Sequence, residues 1–294
     1  MPAKVIAVAN MKGGVGKTTT VVALAEFLAA YGVNGQRKRV AVMDLDAQAS
    51  ASISIAGNNV LRDLIEDGKT IDVFLEDRLV HKRRQPTLSG MLRRWVSSVT
   101  VHGEPIDLSL IASAPELRFV EREVICALTQ QGYGLRAIEG QTRTLVEPEI
   151  AKLKDKVDYL IVDCPPGISA FTEVMFSIAD IIVTPVIADF ISTRGLAAFC
   201  RSVETIATGE KRPHVLVNRF QDTGHQKETL EALESDAAKP DAKFALLKTV
   251  IRQRAAIQAA LENQPGETFE ARWGEDGAEA YKDLATEILG IMNA

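Results

Sequence analysis

The sequence predicts an α/β protein: a doubly wound, mainly parallel sheet with helices on both faces. Three observations carry that prediction. Seven short runs rich in valine and isoleucine recur along the 294 residues. They are continuous and do not alternate, as parallel strands buried on both faces should be. Helical patterns separate them, and the first run leads directly into a glycine-rich turn that opens a helix.

In chain order the runs are VIAVA (5–9), VAVMD (40–44), DLSLIA (107–112), YLIVD (159–163), DIIVTPV (180–186), HVLVN (214–218) and LLKTVI (246–251). After the first, Val21, Val22, Leu24, Ala25, Leu28 and Tyr31 recur at helical spacing, predicting a helix over 18–31. The rhythm breaks over 58–105, which lacks a core-strand pattern and reads as an insertion on the sheet. Within it, residues 78–103 carry Arg78, Lys82, Arg83, Arg84, Arg93 and Arg94 and no acid. That stretch reads either as a solvated helical face or as a binding surface. The last stretch places Tyr281, Leu284, Ala285, Ile288 and Leu289 on one helical face. No internal repeat or low-complexity tract is visible.

Apolar residues make up 46% of the chain and charged residues 25%, enough for a core under a charged surface. The net charge of −5 means that nucleic-acid binding requires a local basic patch, not the field of the whole protein. Cys126, Cys164 and Cys200 are odd in number, show no C-x-x-C spacing, and read as small buried residues of a reducing compartment. No apolar run approaches the ~20 residues that cross a bilayer. The chain opens on strand-like residues with no leader pattern, so the expected location is cytoplasmic.

The chemistry starts at NMKGGVGKTTT (10–20). A phosphate-binding loop ordinarily reads G-x-x-x-x-G-K-[ST]. Here Gly16, Lys17 and Thr18 fit, the leading glycine position holds Met11, and a second lysine, Lys12, follows it. With each residue type at roughly 5–7%, a chance K-G-G-x-G-K-T in a chain of this length is on the order of one in 10⁵. Backbone N–H groups of Gly13, Gly14, Val15, Gly16, Lys17, Thr18 and Thr19 can approach phosphates closely, aided by the helix N-terminus. Lys17 is expected to reach the β- and γ-phosphates and the Thr18 hydroxyl to ligate Mg²⁺. Asp44 and Asp46, two residues apart, emerge together at the end of a strand beside this loop. YLIVDCPPG (159–167) delivers Asp163 towards Mg²⁺ on another strand, and Pro165, Pro166 and Gly167 then make a rigid, non-helical segment.

These motifs resemble the deviant phosphate loop of the ParA/MinD family of P-loop ATPases. The resemblance covers residues 3–57 and 107–263, fails over most of 58–105, and is loose beyond 264. It implies one P-loop ATPase domain over 1–294, with the basic insertion at about 58–105, and ATP and Mg²⁺ as cofactors. Lys12 then acts in trans on the partner's nucleotide across an ATP-dependent homodimer, in the manner of an arginine finger. Lys17 and Asp46 complete the catalytic set, Asp46 orienting the attacking water. Ala47 stands where the family has proline. Thr18, Asp44 and Asp163 form the metal set. Asn218, with Arg219 beside it in HVLVNRF (214–220), is the expected reader of adenine, since an amide offers both donor and acceptor. The TVIRQRAAIQAA stretch (249–260) resembles a family segment that contacts the nucleotide base, with Arg252 in place of its proline.

The implied function is a slow, partner-stimulated ATP hydrolase that binds nonspecific double-stranded DNA as the ATP dimer and segregates a plasmid or chromosome, associated with the nucleoid. The DNA candidates are Arg194, Arg201, Arg252 and Arg254, on the outer face of the dimer, and each also reads as a solvated helix charge. Phosphate contacts alone suffice for such binding. The chain begins at its first strand, so no N-terminal helix-turn-helix is expected. The stimulating partner is either a ParB-like protein or a cargo adaptor. The alternatives keep the switch and change the cargo to a protein assembly, or place the ATPase on a membrane like MinD. The second requires a basic amphipathic C-terminal helix. The tail instead carries Glu279, Asp283 and Glu287 against Lys282, so a docked core helix and no membrane binding are expected. Cys164 is the one thiol in CPPGISA, which argues against a metallocluster enzyme.

Overall fold

The computed structural model describes residues 3–32, 35–206, 211–262 and 268–293. All seven apolar runs are strands of one sheet. With a two-residue hairpin included, the strands are β1 (Lys4–Val8), β2 (Val40–Asp44), β3 (Thr100–Val101), β4 (Glu104–Pro105), β5 (Leu108–Ile111), β6 (Tyr159–Asp163), β7 (Ile181–Val186), β8 (His214–Phe220) and β9 (Ala245–Arg252). The sheet runs β5-β2-β6-β1-β7-β8-β9, and every pairing in it is parallel. The period of two within β1 explains its uniform hydrophobicity. Ile6 and Val8 enter the core on one face, while Val5 and Ala7 enter the core on the other.

One layer holds α1 (Lys17–Ala30), α2 (Ser50–Glu66) and α12 (Glu275–Asn293). Helix α1 is buried almost all round because the sheet, α2, α11 (Phe269–Trp273) and α12 enclose it. The opposite layer contains α3 (Ile71–Leu75), α4 (Leu88–Met91), α5 (Leu117–Gln130), α6 (Leu135–Lys154) and α7 (Ala170–Ile178). Helices α8 (Phe190–Ile206), α9 (Gly224–Ala237) and α10 (Ala255–Ala259) complete the set. In α12, Tyr281, Leu284, Ala285, Ile288 and Leu289 are buried against α1 and the sheet, as expected of a docked core helix. No helix among the described residues is long and apolar enough to cross a membrane. Cys164 and Cys200 are buried, but Cys126 is exposed on the outer side of α5, contrary to the sequence expectation. Helix α5 buries Leu117, Val120, Val124 and Leu128, and position 126 falls off that stripe.

The 58–105 segment contributes no strand to the main sheet. It completes α2, adds α3, a π-helical turn (Glu76–Val80) and α4, then returns through the β3–β4 hairpin. Leu79, Leu88 and Met91 anchor it in the core, while Lys82, Arg83, Arg84, Arg93 and Arg94 are exposed. Arg83 pairs with Asp77 at 2.7 Å, Lys82 donates to Gln131 at 2.6 Å, and Arg78 donates to the Arg84 carbonyl. Both outer strands of the sheet are covered. Residue 93 bridges antiparallel to Leu110 of β5. On β9 the Glu287 carboxylate accepts from the Lys248 and Thr249 N–H groups at 2.6 and 2.9 Å.

Candidate functional site

The site grows from the point where the strand order reverses. β1 lies between β6 and β7, and the chain leaves its carboxyl end through residues 9–16 into α1. Open α/β sheets bind ligands at such points. Gly14 (φ 75°) and Gly16 (φ 92°) take left-handed conformations that turn the loop around an open concavity. A Cβ on Gly16 would stand 2.1 Å from Asn218 Nδ2, so that position also needs glycine for space. The cavity, about 490 Å³, is lined by Gly13, Gly14, Gly16, Lys17, Thr18 and Thr19 on one side and by Asp46 and Pro166 on another.

Lys17 is buried and donates through Nζ to the Lys12 carbonyl at 3.1 Å. Burial holds its pKa below the ordinary lysine value, against the pull of Asp163 and Asp46. Asp44 and Asp163 lie opposite each other in register at adjacent strand ends, both buried. Burial raises the Asp163 carboxyl well above the ordinary range, and the Asp44 charge adds to it. Burial raises Asp44 as well. Thr18 Oγ1 donates to Asp163 Oδ2 at 2.7 Å, while Asp163 Oδ1 is buried without a partner among the described residues. A hydroxyl, a buried carboxylate and an unpartnered oxygen beside a phosphate cradle fit a hydrated Mg²⁺. Asp44 is placed differently. Its Oδ1 accepts from Asp46 N–H at 3.0 Å, and its Oδ2 from Ser52 N–H and Oγ at 2.9 and 2.7 Å. Its lone pairs hold the segment that carries Asp46 against α2. Asp46 is half-buried on the cavity wall, with Oδ1 accepting from Gln48 N–H at 2.9 Å.

Asn218 and Arg219 reach the loop from β8. Asn218 is buried, donates from Nδ2 to the Val15 carbonyl at 2.9 Å and accepts at Oδ1 from Arg219 N–H at 2.9 Å. Its amide thus supports the phosphate loop and its own turn. Arg219 (φ 54°) donates to the Gly14 carbonyl at 3.1 Å. Arg252 and Arg254 do not lie on a remote face. They line the same cavity as the phosphate loop, with Gln253, Ile257, Gln258 and Leu261 extending its far wall. Arg254 pairs with Asp276 at 2.8 Å, and Arg252 stacks 5.9 Å from the Phe220 ring centre. Arg194 and Arg201 are exposed on α8, Arg194 lying 4.9 Å from the Phe190 ring centre.

Lys12 points away from this cavity. Its Nζ sits 2.9 Å from Ser192 Oγ and 3.5 Å from Asp189 Oδ2, at the start of α8. Met11, Phe190 and Ile191 beside it are exposed at 43%, 60% and 70%. Sequence reasoning misses Asp189 and Ser192 because contacts across some 180 residues leave no local signature, and Ser52 because a serine in the first turn of a helix gives no sign that it faces Asp44. Most of the far wall falls in the 249–260 stretch, whose resemblance to a base-contacting segment is visible in the sequence.

A family model, AAA_31, described as an AAA domain, matches residues 3–215. The sporulation initiation inhibitor protein Soj of Bacillus subtilis is 25% identical over 97% of this chain and 98% of its own length. The chromosome partitioning protein ParA of Caulobacter vibrioides is 28% identical, covering 70% of this chain and 64% of its own. The chain belongs to the ParA family of P-loop ATPases. Its fold is shared with a putative plasmid partition protein of Borrelia burgdorferi bound to AMPPNP, at a TM-score of 0.69 and 19% identity, covering 98% of this chain and 99% of that one.

Proposed function

We propose that this ParA-family ATPase binds Mg²⁺–ATP in the cavity under Lys17 and Thr18, dimerises on it, and uses the dimer to bind nonspecific duplex DNA and segregate it. Magnesium, when bound, offsets the charge of the β- and γ-phosphates, and Thr18 and Asp163 are the residues that hold it. Lys17 contacts the same phosphates from its buried position. Asp46 orients the attacking water from the cavity wall. Ile257, Gln258 and Leu261 form the surface against which the base packs. Hydrolysis is slow until a partner protein stimulates it, and the whole chain acts as one unit.

The observation that carries the dimer is the position of Lys12. It stands outside its own cavity on an exposed rim with Met11, Phe190 and Ile191, where a second copy would bury apolar surface and receive the lysine. On dimerisation Lys12 exchanges Asp189 and Ser192 for the partner's phosphates. The test is Lys12→Ala. It is expected to retain ATP binding while losing both ATP-dependent dimers, read by light scattering, and hydrolysis. A variant that dimerises and hydrolyses normally removes the trans-acting lysine from the reading.

A further inference from the structure

Five non-glycine residues among those described have positive φ: Ala49, Lys82, Trp95, His102 and Arg219. Side chains disfavour that backbone, and where it persists it gathers at binding sites. Arg219 lines the nucleotide cavity, and Ala49 sits between its lining residues Gln48 and Ser50. The other three all lie in the 58–105 insertion, which the nucleotide chemistry does not use. Trp95 is the most unusual, with φ 51° and 64% exposure. The other tryptophan, Trp273, is fully buried.

The backbone shows how Trp95 is held outward. Arg93 and Leu110 exchange two N–H···O=C bonds of 2.8 Å, and Val96 N–H donates to the Leu108 carbonyl at 3.1 Å. The chain is therefore pinned to β5 on both sides of Arg94 and Trp95, which project as a two-residue knuckle. Arg93, Arg94 and Trp95 are all exposed. Neither guanidinium has a carboxylate within ion-pair distance among the described residues, whereas the nearby cations Arg62 and Lys69 are matched by Glu66 and Asp67 at 3.9 and 2.8 Å.

We propose that this knuckle docks a partner protein through an extended acidic segment, with carboxylates on Arg93 and Arg94 and an apolar side chain against Trp95. Tryptophan and arginine are the residue types that concentrate binding energy at protein interfaces. A net charge of −5 leaves an acidic partner dependent on such a local cationic spot. A nucleic acid fits less well, because a strand needs a track of cations along its phosphates. Here the exposed cations are two adjacent residues with no run beyond them, and Asp67, already matched by Lys69, lies within the reach of Arg93. The proposal stands independently of the cargo and of DNA binding.

Tryptophan fluorescence reads the site directly, since Trp95 alone of the two indoles meets solvent. The full chain, free of nucleotide, is titrated with a short synthetic peptide of acidic pairs spaced by leucine and phenylalanine. Its lysine-for-acid counterpart and an oligothymidylate serve as comparisons. The acidic peptide is expected to blue-shift Trp95 and shield it from acrylamide. With a labelled peptide read by anisotropy, the Arg93→Gln/Arg94→Gln variant should bind about ten-fold more weakly. Trp95→Gly, whose backbone accepts positive φ, should abolish binding while the thermal midpoint holds or rises. Absence of shielding at millimolar acidic peptide, or unchanged binding by the double-arginine variant, overturns the proposal. Stronger shielding by the oligothymidylate overturns it in favour of a nucleic acid.

Discussion

Replacing Arg272 by methionine is the most severe single change the structure predicts away from the nucleotide. Arg272 and Glu26 form an ion pair of 3.0 Å with side chains 1% and 0% exposed. The same guanidinium donates to the Ala260 carbonyl at 2.7 Å, the Ser54 carbonyl at 2.8 Å and Ser98 Oγ at 3.2 Å. Glu26 also accepts from Trp273 Nε1 at 2.8 Å and Ser97 Oγ at 3.1 Å. One buried cluster thus ties α1, the helix behind the phosphate loop, to α2, to the insertion and to the C-terminal segment. Methionine fills much of the volume but leaves a buried carboxylate without its cation, at a cost of about 3–5 kcal/mol. Two carbonyls losing their donors add about 1 kcal/mol. With a urea slope of about 3 kcal/mol per M, the midpoint should fall by about 1.5–2 M. Adding Glu26→Gln removes the stranded charge while keeping an acceptor for Trp273, and should recover about 2 kcal/mol. The assay is urea unfolding of both variants by circular dichroism. A single-variant loss below about 1 kcal/mol, or a double variant no better than the sum of the singles, refutes the reasoning, because the charges would then be solvated in the folded protein.

Three further outcomes follow from the site and its surroundings. Asp46→Ala should trap the ATP-bound dimer, since the water-orienting carboxylate is lost while the phosphate contacts remain; a variant monomeric in ATP assigns Asp46 to assembly instead. Duplex binding should appear with ATP, vanish with ADP and fall steeply with salt, and each phosphate-contacting arginine among Arg194, Arg201, Arg252 and Arg254 should lower the log–log slope by about one when substituted. The placement of Arg252 and Arg254 at the cavity predicts that they alter nucleotide affinity first, which equilibrium dialysis separates from the mobility shift. Glu173, partly buried and hydrogen-bonded to Glu139, has its carboxyl pushed up to about 7 by burial and by that neighbour. Its folded-state pKa lies above the unfolded value, so its contribution to stability is complete below the ordinary carboxylate range and is lost as pH rises through about 7. Glu173→Gln should flatten the decline of the urea midpoint between pH 5 and 8; a wild-type slope in the variant excludes the pair as its source.

The sheet was legible because burial on both faces makes its inner strands apolar without alternation, as in VIAVA and YLIVD, and because helical patterns separate the runs. The phosphate loop was legible because its chemistry restricts residue type at each position. What the sequence concealed are partnerships across distance. Glu26 reads as a polar position on an amphipathic helix until Arg272 is seen against it. Asp44 and Asp46 look alike on the chain, but only Asp44 turns back to Ser52. Asn218 stands at a strand end, where an amide can face a ligand or a loop, and only the closeness of Gly16 shows that it meets the loop. The insertion was visible as an interruption, yet its left-handed residues were not, because lysine, tryptophan and histidine carry no signal for that backbone as glycine does.

The two outer strands of the sheet bear on any larger assembly. Parallel sheets with open borders recruit further strands and lengthen without limit. Here the β5 border is occupied by the chain's own residue 93, and a carboxylate from α12 sits on two adjacent amides of β9. Strand-by-strand extension is blocked where these groups sit, which leaves the helical layers and the cavity face as the surfaces open to a further copy of the chain.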